Sequence, residues 1–359
     1  MEERNYGIDL LRIISMIGVM TLHILGHGGV LENTKVLSYN YDIAWLLEIC
    51  AYCAVDCFVL ISGYVMVQAK YKISNIVLLW IETEIYSVVI MLFFSFFYSV
   101  PDIKECIATF LPVTTSQYWF FSMYIGMMLF VPIINVFFKN VDIKRLLILL
   151  LVTFFCTLLS VFNDNVFELN GGYSVLWFII LYMCGGTIYK IQCIHKFKLK
   201  RVTYVTVAMI FLTWLSKIVL ENITFRLMGN VRFGLLLIKY TSPSILIVGC
   251  GLLIIFTNIK CNKIVPLLKT MTPLVFSAYL IQDNKYVRKY FITNRFSFLA
   301  TKSTFVMVVG VLFFSMMCFF VGCLVDELRL YIFKKFKLKN RVLILEEKIS
   351  ICLNNKFKI

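Results

Sequence analysis

Two residues of the first long apolar run are of types that do chemistry, and their spacing puts them on one line. The run reads GIDLLRIISMIGVMTLHILGHGG and carries Asp9, Arg12 and His23. Arg12 and His23 are eleven positions apart. On an α-helix that is about 20° from three full turns, with roughly 16 Å of rise. Both side chains therefore project from one stripe. Asp9 precedes Arg12 by one turn and partly neutralises it. Ionisable groups inside a span are expensive, so each is a functional candidate. A neutral imidazole accepts a proton near neutral pH, which suits His23 to proton transfer. The plainer reading is a His that only bonds a neighbouring helix. His27 lies one turn beyond, but a His23–His27 metal pair lacks an evident third ligand.

The elements that must hold these residues are membrane spans. The chain has 359 residues, is 60% hydrophobic and only 15% charged. Its mean hydropathy is +0.86. Soluble domains carry about 25% charged residues, which excludes an ordinary soluble fold. A span needs about 20 apolar residues. That ruler predicts an all-α polytopic integral membrane bundle of about ten helices. The spans are 8–26, 43–67, 76–100, 118–138, 146–162, 174–190, 202–220, 242–257, 273–292 and 303–324. Gln282, Asp283, Asn284 and Lys285 interrupt the ninth. The first run has no small-residue cleavage site and reads as a retained helix.

The net charge is +15. Nucleic acid is rejected as the partner, because Lys and Arg fall in short loops between apolar runs. With the N-terminus inside, 23 of them lie on the cytoplasmic side and 10 on the outer side. An even number of spans places both termini in the cytoplasm. Residues 1–328 form the bundle, and 329–359 a basic amphipathic tail suited to anionic lipid. Of the 12 Cys, Cys50, Cys53 and Cys57 share one helix face and read as packing residues. No metal site is expected.

Further polar residues fall within the spans. Asp56 either orients His23, pairs with Arg12 or makes a structural contact between helices. Glu48, Glu82 and Glu84 read as interface residues, and Lys217 as one whose ammonium reaches up to the surface. Trp119 and Tyr124 read first as interface aromatics, and Ser62–Gly63 as a close-packing pair. Two outer stretches are basic: Arg226, Arg232 and Lys239, then Lys285, Arg288, Lys289 and Arg295. They suit lipid head groups or an anionic acceptor.

Four segments, in order, resemble the membrane-bound acyltransferase family 3. Arg12 and His23 match its first-helix signature. AVDCFVLISGYVM matches an Asp-x-Phe-Phe-x-x-Ser-Gly-Tyr segment through Asp56, Ser62, Gly63 and Tyr64. QYWFFSMYIGMMLFVPIIN is similar to a Trp-Phe helix, through Trp119, Phe120, Tyr124 and Pro132. FSAYLIQDNKYVR resembles a late segment that usually reads Tyr-Leu-Ile-His-Asp-Asn. The resemblance implies a multi-pass enzyme of a bacterial plasma membrane. Its expected reaction moves an acyl group, often acetyl, from cytoplasmic acyl-CoA to a hydroxyl of an envelope glycan or lipid-linked sugar. It implies His23 as the essential residue, either base or transiently acylated, with Arg12 as companion and Asp56 beside them. Arg12, Lys70 and Lys72 are then the expected grip on the CoA phosphates. Trp119, Gln282, Asp283 and Arg288 are expected to meet the acceptor. Two departures stand out: Gln282 replaces the usual His, and Lys70 and Lys72 stand where an Arg-rich turn is usual. A Lys holds phosphate as a point charge and not as a fork. A glycan exporter without acyl transfer, or a sensor or anchor, is the alternative; no internal repeat of the kind common in transporters is visible.

Overall fold

The computed structural model describes residues 4–98 and 100–357. Residues 1–3 and 99 of the bundle and 358–359 of the tail thus lie outside the described residues. Among those described the secondary structure is all helical. The helices are α1 (Tyr6–Leu25), α2 (Tyr39–Tyr52), α3 (Ala54–Met66), α4 (Ile73–Phe97), α5 (Trp119–Asn140), α6 (Ile143–Ser160), α7 (Val175–Ile194), α8 (Leu199–Met228) and α9 (Pro243–Thr257). They are followed by the interrupted run α10 (Asn262–Gln282), then α11 (Thr304–Lys335) and α12 (Leu338–Phe357). The α2–α3 pair reads as one span of 28 residues. With that pair counted once, nine helices among the described residues are long and apolar enough to cross a membrane.

The expected eighth span is α9, and it is short. Its 15 residues reach about 22 Å, against a hydrocarbon core of about 30 Å. It runs between the same two faces as the long helices. At one end Thr241 O accepts from Ser160 Oγ at the close of α6 (2.9 Å). At the other, Thr257 O accepts from Asn5 Nδ2 at the start of α1 (2.8 Å). Most of α9 is buried against α1, α3, α8 and neighbouring spans, so its ends need not reach lipid-water boundaries. With α9 counted, ten helical segments among the described residues run between the two faces, and α1 starts on the face where α11 ends. That face is called the near face below.

α1 sits at the centre, packed against α2, α3, α9, α10 and α11. Asn5 caps it, its side chain accepting from Gly7 N and Ile8 N. The outer helices α6, α8 and α11 leave large apolar side chains such as Leu151, Phe155, Leu212 and Phe313 exposed, as lipid contact requires. α3 crosses α7 closely. A Cβ on Gly63 would stand 1.9 Å from Tyr182 O, and one on Gly185 2.0 Å from Leu60 O. Only glycine permits that backbone approach.

Three expectations are corrected. The ninth span is shifted towards the N-terminus, running from Asn262 to Gln282 where 273–292 was expected. Pro266 and Pro273 break it into alternating 3-10 and α turns, and the polar group from Gln282 to Lys285 ends it. Lys217 does not reach for the surface. It is 1% exposed, pairs with Glu221 and lies over the rings of Tyr41 and Trp45. Glu82 is likewise no interface residue. It is buried, accepts from Ser277 Oγ and stands 3.4 Å from Arg329 Nη2. Arg329, the first residue of the expected tail, is itself buried and held to Asp326. α11 continues unbroken past it to Lys335, and α12 follows.

Candidate active site

A cavity of about 430 Å³ opens beside α1. Arg12, Met16, Val19, Leu22 and His23 all line it, four of the five spaced three or four residues apart. The stripe read from the spacing is therefore one wall of a cavity. Arg12 marks its near end, where Nη1 donates to Asp9 Oδ1 (3.0 Å). Asp9 is 1% exposed and takes a second cation, Arg4, through Oδ2 (2.6 Å). The buried carboxylate thus sits between two guanidiniums, which leaves one positive charge in excess.

His23 marks the far half. Its Nδ1 lies 2.7 Å from Gln282 Oε1. An amide oxygen only accepts, so in the neutral ring this pairing puts the proton on Nδ1 and makes Nε2 the free nitrogen. Gln282 is the last residue of α10 and is buried. The end of that span and the end of α1 thus meet through this bond. His27, just past α1, packs on His23 with ring centroids 5.3 Å apart and the rings tilted. Burial pushes the His27 imidazole below its ordinary pKa, and the nearness of His23 and Arg288 adds to this.

The remaining expected site residues divide. Trp119 lines the cavity with Tyr124, whose hydroxyl lies 3.1 Å from Ser62 Oγ. Asp56 is wholly buried and touches neither His23 nor Arg12. Trp177 Nε1 donates to its Oδ1 at 3.3 Å. Asp283, one residue beyond Gln282, is buried and pairs with Arg288 at 3.1 Å. Neither lines the cavity. Lys70 and Lys72 are exposed on the near face, outside the cavity, in the link from α3 to α4. Among the described residues no group of three or more His, Cys, Asp and Glu side chains is placed to hold a metal. Cys50, Cys53 and Cys57 are free thiols.

This arrangement fits a proton-accepting imidazole with a cation at the opposite end of the cavity. The family model for the acyltransferase domain matches residues 5–325. The chain belongs to acyltransferase family 3. No curated protein and no solved structure is significantly similar to it. The match spans α1 to most of α11 and leaves only the end of α11 and α12 outside.

In this family 3 acyltransferase the far wall of the cavity corrects one expectation, since Glu48, read as an interface residue, is buried and lines it. Glu48 and Tyr52 on α2, Tyr173 before α7 and Tyr240 before α9 line it together with Trp119. The only local signal is the four-residue spacing of Glu48 and Tyr52, which places both on one helix face. The other three converge because α5, α7 and α9 all start at the same depth, on the far face.

Proposed function

We propose that the cavity transfers an acyl group, acetyl in the simplest case, from acyl-CoA to a hydroxyl of an envelope glycan or lipid-linked sugar. The observation that carries this reading is the His23–Gln282 bond, which leaves a basic Nε2 on a ring that lines the cavity. In the proposed step Nε2 takes the proton of the acceptor hydroxyl as its oxygen bonds the thioester carbonyl carbon. The C–S bond then breaks, and the proton passes from Nε2 to the departing CoA sulfur. Ser62 Oγ donates to Phe58 O, so Tyr124, whose hydroxyl meets Ser62 in the cavity, is the proposed donor to the carbonyl oxygen as it becomes negative. Arg12, together with Lys70 and Lys72 on the near face, supplies positive charge for the CoA phosphates. The donor would enter from that face, and the acceptor would meet it in the far half.

The reading places the protein in a bacterial plasma membrane with the near face in the cytoplasm. The test is release of CoA from radiolabelled acetyl-CoA by inside-out vesicles. His23→Ala should lower release to the rate of empty vesicles while protein level and membrane insertion stay unchanged. Full release by that variant overturns the assignment of His23. Glycan movement with no label transferred would make the protein an exporter.

A further inference from the structure

The chain builds the same arrangement twice, and supplies the cation only once. At the first place Lys217 Nζ meets the Glu221 carboxylate at 2.5 Å and lies 4.2 Å from the Tyr41 ring centroid and 4.4 Å from that of Trp45. An ammonium is held there by a buried carboxylate and by aromatic faces, a combination that suits cations in dry surroundings. At the second place, in the far half of the cavity, the carboxylate is Glu48. It is 9% exposed, and its Oε2 has no hydrogen-bond partner. The aromatic wall is Tyr52, Trp119, Tyr173 and Tyr240. Tyr52 and Tyr240 have ring centroids 4.9 Å apart, Trp119 and Tyr173 4.6 Å, and Tyr173 and Tyr240 5.4 Å. Tyr52, Tyr173 and Tyr240 line the same cavity as Glu48.

Among the described residues no Lys or Arg pairs with Glu48. The cations nearest the cavity are committed elsewhere: Arg12 to Asp9 at the near end, and Arg288 to Asp283. The other buried acids Asp9, Glu82, Glu221, Asp283 and Asp326 each have such a partner. A buried carboxylate without one is costly unless a ligand completes it. Asp56 also lacks a cation, but it is sealed from the cavity and takes the Trp177 indole N–H. Glu48 faces the cavity.

We infer that Glu48 and the rings of Tyr52, Trp119, Tyr173 and Tyr240 form a subsite for an ammonium group, so that the molecule bound in the far half carries a cationic nitrogen. As a statement about the acceptor this rests on the acyl-transfer reading. As a binding site it does not, because recognition of the ammonium involves neither His23 nor a donor. An acceptor of this class carries its hydroxyl and its ammonium on one small scaffold, as an amino sugar does. Glu48 would fix one end of it while the hydroxyl is presented to His23.

The test is saturation-transfer NMR on the full chain in nanodiscs, without acyl-CoA, with choline, glucosamine and glucose as probes. Choline and glucosamine should receive saturation from the protein, and glucose should receive much less. Glu48→Gln keeps the shape and removes the charge. It should weaken binding of both ammonium probes by about tenfold or more. Trp119→Leu should weaken choline binding too, and His23→Ala should leave it unchanged. Size-exclusion profiles check that each variant is folded. Equal binding of glucose and glucosamine would overturn the inference. So would no binding of either ammonium probe, or unchanged binding in folded Glu48→Gln. No CoA release by the unaltered protein, with ammonium binding intact, would count against the acyl-transfer reading alone.

Discussion

Gln282 is where the chain departs from its family at a single residue, and the structure gives that departure a physical role. A His in its place would offer a ring nitrogen to His23, and either ring could then carry the shared proton. An amide oxygen admits one arrangement only, with the proton on His23 Nδ1. Gln282→Leu should therefore lower the turnover number by roughly 10- to 100-fold, because a misaligned or wrongly protonated base loses much of its effect. KM for the acyl-CoA should be unaltered, since Gln282 is buried behind His23 and away from Arg12. Gln282→Glu keeps an accepting oxygen and should restore most of the rate. Steady-state kinetics on the two variants checks this, and equal loss in both would deny the role. The Arg12–His23 stripe was legible because helical periodicity is a local property. The bond to Gln282 was not, because it joins residues 259 positions apart.

At the scale of elements, the sequence was informative about which segments are helical and weaker about where they stop. Hydropathy placed the ninth span too late because the apolar residues after Lys285 count towards an average, although the chain has already left its helix at Gln282. Lys217 was misread for a related reason. A lone Lys near a helix end is expected to extend to water, and only the packing of α2 against α8 shows that Tyr41, Trp45 and Glu221 enclose it. The pair is thus a joint between two spans. Breaking one partner leaves the other charge buried alone. Lys217→Met should cost about 3 kcal/mol or more of stability. Lys217→Met combined with Glu221→Met should recover most of that, since an apolar pair of similar size has no charge to desolvate. Unfolding of the purified variants in a denaturing detergent series gives both values. A double variant no more stable than the single one would show that the loss is one of shape.

For the whole molecule the decisive quantity is orientation, because a cavity with a cation at one end and a base at the other has a direction only once its faces are assigned. The structure fixes the relative part. Ten helical segments running between the two faces bring the start of α1, the end of α11 and α12 to one face, together with Lys70 and Lys72. The absolute part is a proposal from charge. By the spans read from the sequence, Lys and Arg number 23 on that face and its tail against 10 on the other, and positive loops are retained in the cytoplasm. α12 adds to the argument from its contacts. Its Glu346 accepts from Ile73 N at the start of α4 (2.7 Å), which lays the helix along the near face. Ile344, Leu345 and Ile349 stay exposed there among basic side chains, as on a helix lying in an anionic leaflet. A fluorescent protein fused after residue 359 should therefore fold and fluoresce, whereas alkaline phosphatase at the same point should be inactive. Phosphatase inserted between α8 and α9, near Arg232, should be active. The reverse pattern would put Arg12 outside and His23 nearest the cytoplasm. A cytoplasmic acyl-CoA would then meet the base before the cation meant for its phosphates, and the proposed direction of transfer would fall with it.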